Sequence, residues 1–238
     1  MIKLISVASL LFLLAHPGEK QTAKLAKSKI VIDGIAKESD WKAAQWKPLD
    51  QFWLGGETDT SDFKGRYKLV WDVDQLYVLA EIKDDTLIDI YKDKFDSWWD
   101  DDCLEIFVDE NRSMGDHQYN HNAFAYHVAL DGNVVDLGTD YNPHFYNDHV
   151  LSKRTQKGKI TTWECAIKLH TDKFKDFAKD AQPAKLAVGK KIGFALAYCD
   201  NDNSERREHF IGSIPVKGDD KNKGWIDAGI FGELTLTK

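Results

Sequence analysis

Apolar and polar residues alternate with a period of two along most of this chain, a spacing that predicts strands. In the stretch RYKLVWD, Tyr67, Leu69 and Trp71 fall on one face; after a DVDQ turn, Leu76, Val78, Ala80 and Ile82 do the same. Residues 65–84 therefore read as a β-hairpin. CLEIFVD is a further strand with Leu104, Ile106 and Val108 inward, and two more flank the Asp131–Gly132 turn in AFAYHVALDGNVVDLG. ITTWECAIKL and KIGFALAYCDND read as interior strands, REHFIGSI as another, and FGELTLTK closes the chain with Leu234 and Leu236 on one face. Helical spacing is scarce. TDKFKDFAK, residues 171–179, offers Thr171 as an N-cap with Phe174, Phe177 and Ala178 behind it, and residues 40–46 suit a single turn. About ten short strands and one short helix predict an all-β fold, an antiparallel β-sandwich. Residues 16–28 read as a tail, and from Lys29 to Lys238 the pattern runs unbroken as one domain.

Composition narrows the functional classes. The chain has 238 residues, 42% of them hydrophobic, enough for a substantial core. The net charge of −7 is made of interspersed acidic and basic residues. No basic stripe suits nucleic acid, and no polybasic cluster suits a membrane surface. Residues 1–20 read as an export signal: Lys3 precedes LISVASLLFLLA, a run too short to span a bilayer, and Pro17 and Gly18 end it. Cleavage after Ala15 or somewhat later is expected, and no cysteine follows to carry a lipid. The protein is thus expected to be secreted or periplasmic, with no membrane contact after cleavage. Cys103, Cys165 and Cys199 lie in apolar runs, and their odd number favours buried free thiols, though one disulfide is compatible with it.

Common catalytic motifs are missing. There is no phosphate loop, no G-x-S-x-G and no H-E-x-x-H. DNDNSERREHF opens like a calcium loop at Asp200 and Asp202 but lacks the EF-hand's glycine and terminal acid. His117, His121 and His127 do not have a zinc spacing. Asp101 and Glu105 lie about 13 Å apart along a strand, too far for a glycosidase pair.

The stretch DSWWDDDCLEIFVDEN offers other chemistry. With Leu104, Ile106 and Val108 inward, Trp99 and Glu105 share the opposite face, while Trp98 has core parity. A pyranose presents apolar C–H faces and a rim of hydroxyls, so indole planes and polar side chains suit it. Trp225 is a second candidate platform, in a polar, glycine-containing loop before the last strand; Trp41, Trp46, Trp71 and Trp163 read as packing residues. Covering ~200 Å² of ring faces is worth ~5 kcal/mol before association costs. Micromolar binding is the expectation, about −7 to −8 kcal/mol.

The succession VIDGIAKESDW, YKLVWDVDQLYVLAEIKDD, WWDDDCLEIFVDEN, TTWECAIKL, KIGFALAYCDND and GWIDAGIFGELTL resembles carbohydrate-binding module family 9, from about Lys29 to Lys238. The resemblance implies a β-sandwich with structural calcium that grips the reducing end of glucans and xylans between two tryptophans. By motif position these are Trp99 and Trp225, with Glu105 and Asn222 as sugar-contacting residues. The family's sugar-contacting arginine falls on His127, a departure that removes a bidentate donor and leaves Tyr126 and His127 in its place. The calcium ligands stay unassigned among acidic loop residues such as Asp84, Asp85 and Asp89. Related sandwiches bind haem through methionine, but Met114 in its polar loop suits that poorly.

The sequence thus leads to a non-catalytic carbohydrate-binding protein linked to extracellular polysaccharide use. Its expected partners are an oligosaccharide or polysaccharide chain end and a separate glycoside hydrolase. Two competing readings stand beside it: a glycoside hydrolase acting on oligosaccharides, and a calcium-stiffened structural envelope protein.

Overall fold

In the computed structural model, residues 20–178, 182–202 and 205–238 are described. The expected export signal and its cleavage point lie outside them, apart from Lys20. The strands are β1 (Gln21–Leu25), β2 (Lys47–Leu49), β3 (Gln51–Leu54), β4 (Lys64–Trp71), β5 (Leu76–Lys83), β6 (Cys103–Asp109) and β7 (Phe124–Ala129). They continue as β8 (Val134–Leu137), β9 (Pro143–Phe145), β10 (Val150–Lys157), β11 (Ile160–Ile167), β12 (Lys191–Asp200), β13 (His209–Gly212) and β14 (Gly232–Thr237). One short helix, α1 (Ser39–Ala43), and a 3-10 turn at Ala228–Ile230 complete the described elements. No helix among the described residues is long and apolar enough to cross a membrane.

The hydrogen-bonded path runs β10-β11-β5-β4-β1-β14-β12-β6-β7-β8-β9 and folds back on itself as two layers. The largest buried cluster interleaves Leu69, Trp71, Val78, Ile82 and Trp163 from one half with Leu104, Ile106, Tyr126, Leu196 and Leu236 from the other. Alternation therefore does what the sequence pattern predicted: one face of most strands closes the sandwich. Two smaller clusters lie on the outer faces. Trp41, Val70, Tyr77 and Leu79 pack around α1 on one side. On the other, Trp53, Cys103, Phe107, Ala197 and Phe210 pack below β13 and the C-terminal loop. All three cysteines are buried free thiols.

Two expectations need correction. The tail read into residues 16–28 contains β1, which pairs in parallel with β14 through Gln21↔Leu234 and with β4 through Leu25↔Trp71. It joins the two halves of the sheet, and Ala23 is fully buried. Its five residues are too few to show a clear period. The helix expected at residues 171–179 is absent from its described part, which forms isolated turns such as Phe174 N–H to Thr171 O at 2.9 Å. Phe174 docks on the core near His149 and His170, while Phe177 is 83% exposed, so tertiary packing splits the two rings that helical spacing had paired.

Candidate functional site

The β6–β12–β13 and β6–β7 pairings present a floor on the outer face of one layer. In β6, Leu104, Ile106 and Val108 enter the core, while Glu105 and Phe107 face outward into a cleft of about 460 Å³. Trp99 and Trp225 both line this cleft and are 39% and 40% exposed. Asn222 and His127 line it too, so all five residues singled out in the sequence meet at one place.

Each indole is held by its own loop. Ahead of β6 the backbone turns at Ser97 (φ +50°), and Asp100 N–H bonds Ser97 O at 2.8 Å. This turn breaks the extended register assumed for the tryptophan pair. Trp98, expected in the core, instead lines the cleft, half-buried and edge-on to Trp99 at 4.7 Å. The three aspartates that follow fasten neighbouring loops. Asp100 Oδ1 accepts from Arg207 N–H (3.2 Å), Asp101 Oδ1 from Ile90 N–H (2.8 Å) and Asp102 from Ile88 and Asn201 N–H (2.6 and 2.8 Å). Trp225 sits on a turn closed by Asp227 N–H to Lys223 O at 2.9 Å. That turn is pinned to the 115–117 segment by His117 N–H to Ile226 O (3.0 Å) and by His117 Nε2 to Gly224 O (2.7 Å). Gly224 passes so close over Phe107 that a Cβ there would lie 2.8 Å from the ring.

At the floor, Glu105 is 3% exposed. Its Oε1 meets His127 Nε2 across the β6–β7 register and lies 3.3 Å from Arg207 Nη1. Burial pushes its carboxyl upward, but His127 and Arg207 outweigh that and hold it below the usual glutamate range. Arg207 also donates from Nη2 to Asn222 Oδ1 at 3.0 Å and from Nη1 to Cys199 Sγ at 2.9 Å, and lies over the Phe210 ring at 4.2 Å. Asp136, also on the cleft, is pushed to about 6 by burial, although it accepts Ala125 and Leu137 N–H.

Arg207, Asp136, Tyr141 and Trp98 are cleft residues that sequence reasoning did not place there. Arg207 sits in a charged ERREH run, 102 residues from Glu105, with no local signal of its destination. It brings a guanidinium to the site, where the sequence alone had left Tyr126 and His127; Tyr126 instead lies in the core, fully buried.

The three histidines weighed for zinc are dispersed: His117 on Gly224, His121 on Asp176 (2.9 Å) and His127 on Glu105. A different cluster fits a hard cation. Asp84, Asp102 and Asp200 are 3%, 1% and 1% exposed and bring one oxygen each within 4.8 Å of one another. Asp62, Asp85, Asp202 and His209 form overlapping groups beside them. Burial pushes the carboxyls of Asp84, Asp200 and Asp102 up to about 6, 8 and 9. Asp200 Oδ2 lies 3.3 Å from His209 Nδ1 without hydrogen-bond geometry and has no other partner among the described residues. Gathered carboxylates with an unsatisfied buried oxygen are a donor set for an oxygen-loving divalent ion.

The cleft is concave and mostly apolar, with a few hydrogen-bonding side chains on its floor, the make-up of a small-ligand site. The chain belongs to the Carbohydrate family 9 binding domain-like family, which matches it over residues 32–238. A carbohydrate binding module family 9 from Caldicellulosiruptor kristjanssonii in complex with cellotriose is 21% identical, with a TM-score of 0.64, covering 92% of this chain and 94% of that one. The same organism's module in complex with glucose superposes with a TM-score of 0.65 at 21% identity, covering 91% and 96%. Endo-1,4-beta-xylanase A of Thermotoga maritima is 32% identical over 173 residues, and endo-1,4-beta-xylanase C of Paenibacillus barcinonensis is 27% identical over 197. These alignments span 73% and 79% of this chain but only 14% and 16% of those relatives.

Proposed function

We propose that the cleft captures a terminal pyranose ring of an oligosaccharide or polysaccharide between Trp99 and Trp225, without catalysis. The observation that carries this reading is the placement of two partly exposed indoles from distant loops on one cleft, with an ionised glutamate on its floor. The indoles cover the sugar's C–H faces. Glu105 accepts from ring hydroxyls, Arg207 takes the donor role that His127 was expected to fill, and His127 orients Glu105. Asn222, whose Oδ1 is committed to Arg207, offers its amide N–H groups. Capture without hydrolysis is supported by the two cleft carboxylates, Glu105 and Asp136, each already tied to donors of the protein itself. The protein then serves extracellular polysaccharide use beside a separate glycoside hydrolase, a reading supported by the xylanase relatives, of which it matches only a small part.

The acidic cluster, in this proposal, holds a structural calcium ion through Asp84, Asp102 and Asp200, with Asp62, Asp85 and Asp202 alongside. Bound there, the ion neutralises buried carboxylates. Asp102 accepts Asn201 N–H, Asn201 donates its amide to Asp100 O beside Trp99, and Asp100 accepts Arg207 N–H, a chain that passes that rigidity to the cleft.

Calorimetric titration with glucose and cellotriose, unreduced and borohydride-reduced, tests the site. Micromolar-range heats with cellotriose that vanish in Trp225→Ala are expected. Equal heats in both proteins would remove the indole slot from consideration.

A further inference from the structure

By their places in the sheet, the three cysteines divide into a pair and a single. Cys103 on β6 and Cys199 on β12 are directly opposite in the antiparallel register, so both side chains leave the sheet on one face. Both belong to the apolar cluster on the outer face and are 1% and 0% exposed. Their thiols lie within side-chain hydrogen-bonding reach of each other. Cys165 stands apart on β11, where it faces Ser152 and Val78 and donates to Ser152 Oγ at 3.4 Å.

Antiparallel geometry suits the opposed pair to a covalent bond. Residues directly across such a ladder have Cα atoms about 4.5 or 5.5 Å apart, and both spacings fall within the ~4.4–6.8 Å that a disulfide spans. Their Cβ atoms start about 4.5–5.5 Å apart and must reach ~3.5–4.5 Å, a closure of about 1 Å. Both sulfurs also lie one side chain below the cleft. Arg207, which lines it, donates from Nη1 to Cys199 Sγ at 2.9 Å, and the carbonyl of Trp98, which lines it too, is 3.9 Å from Cys103 Sγ. A small oxidant therefore reaches the pair when Arg207 or Trp98 swings aside.

We propose that Cys103 and Cys199 are a disulfide-forming site that clamps β6 to β12 beneath the cleft. The proposal is independent of what the cleft binds. The oxidant is a second disulfide, either a small molecule or that of a thiol oxidoreductase. One cysteine sulfur gives up its proton and attacks that disulfide, releasing one thiol; the other cysteine then displaces the second thiol from the mixed disulfide. An Sγ–Sγ bond forms, the oxidant's S–S bond breaks, and two electrons and both protons pass to its two sulfurs. The new bond joins strands far apart in sequence, where a crosslink restricts the unfolded chain strongly. Asp102 precedes Cys103 and Asp200 follows Cys199, so the same clamp holds the backbone of two members of the acidic cluster. It also consumes the Cys199 S–H, which points at Glu105 Oε1 from 3.7 Å, and leaves that carboxylate to His127 and Arg207.

Incubation of the protein with excess oxidised over reduced glutathione, in moderate urea until the thiol count is constant, tests the proposal. Alkylation and peptide mass spectrometry then count the thiols and locate the bond. Wild type should pass from its three free thiols to the single Cys165, with the Cys103 and Cys199 peptides linked. Cys165→Ala should form the same link, and Cys103→Ala and Cys199→Ala should form none. After urea is removed, the oxidised wild type should melt about 4 °C or more above the reduced protein, and the two single variants should show no such rise. Three thiols still free, glutathione left attached to Cys103 or Cys199, or a bond to Cys165 would overturn the pair. A Cys103–Cys199 bond that leaves the melting point unchanged or lowers it would overturn the clamp.

Discussion

Replacing Arg207 with methionine probes the polar floor most directly. The guanidinium is 7% exposed and serves Glu105, Asn222 and Cys199 together, with Phe210 beneath it. Methionine keeps the apolar stem but leaves Glu105 buried with His127 and the Cys199 thiol as its remaining side-chain partners. Removing one member of a buried pair costs about 3–5 kcal/mol when nothing else compensates. With His127 still in place, about 2–3 kcal/mol is expected here. For a domain of this size that lowers the midpoint by roughly 4–12 °C. Asn222 also loses the bond that orients its amide, and in the proposed site the sugar loses a charged donor. A charge-assisted bond is worth ~1.5–3 kcal/mol, so cellotriose affinity should fall between about tenfold and a hundredfold. Urea denaturation at pH 7 gives the first quantity and calorimetry the second. Arg207→Lys should recover part of the stability and little of the affinity, because one ammonium cannot span Glu105 and Asn222. A methionine variant within about 0.5 kcal/mol of wild type, with unchanged affinity, would show that the network has no such role.

Other outcomes follow from the same geometry. Gly224→Ala places a methyl 2.8 Å from the Phe107 ring and must displace the Trp225 turn; sugar affinity should drop about tenfold with a smaller loss of stability, read by calorimetry and thermal melting. Chelation with EDTA should lower the midpoint and calcium should restore it, since an ion at a hundredfold excess over its dissociation constant stabilises by ~2.7 kcal/mol; a melt unchanged by EDTA and by calcium would refute the assignment. His170 stacks on His149 at 3.9 Å, and burial lowers their folded-state values to about 4 and about 3, from 6.5. His121, Lys168, Asp148 and Asp176 are the other ionisable groups acting on the pair. Below pH 6.5 the unfolded chain takes up protons that the folded one refuses, so stability is lost as pH falls toward about 4. His170→Phe keeps an aromatic ring against His149 without that titration, and should reduce the acid-side loss by about 2 kcal/mol at pH 5, measured by urea denaturation at pH 7.5 and 5.

What the sequence determined by itself is local and periodic. Period-two alternation assigned Leu104, Ile106 and Val108 to one side of β6 and Glu105 to the other, and the sandwich obeys that division because each face is either buried or not. It also marked Trp99 and Trp225 as unlike the packing tryptophans, because polar loops surround them, and family resemblance tied both to Glu105 and Asn222. Tertiary structure decided what periodicity does not encode. The Ser97 turn moved Trp98 from core parity to the cleft, and packing against His149 and His170 kept Phe174 out of a helix. β1 became the strand joining two layers, and Arg207 crossed 102 positions of sequence to reach Glu105. The gathering of Asp84, Asp102 and Asp200 belongs to the same class, since three carboxylates from separate segments become neighbours only after the chain has closed on itself. Alternation is a property of neighbours along the chain; a charge's partner is a property of space, set by which strands pair and where their loops turn.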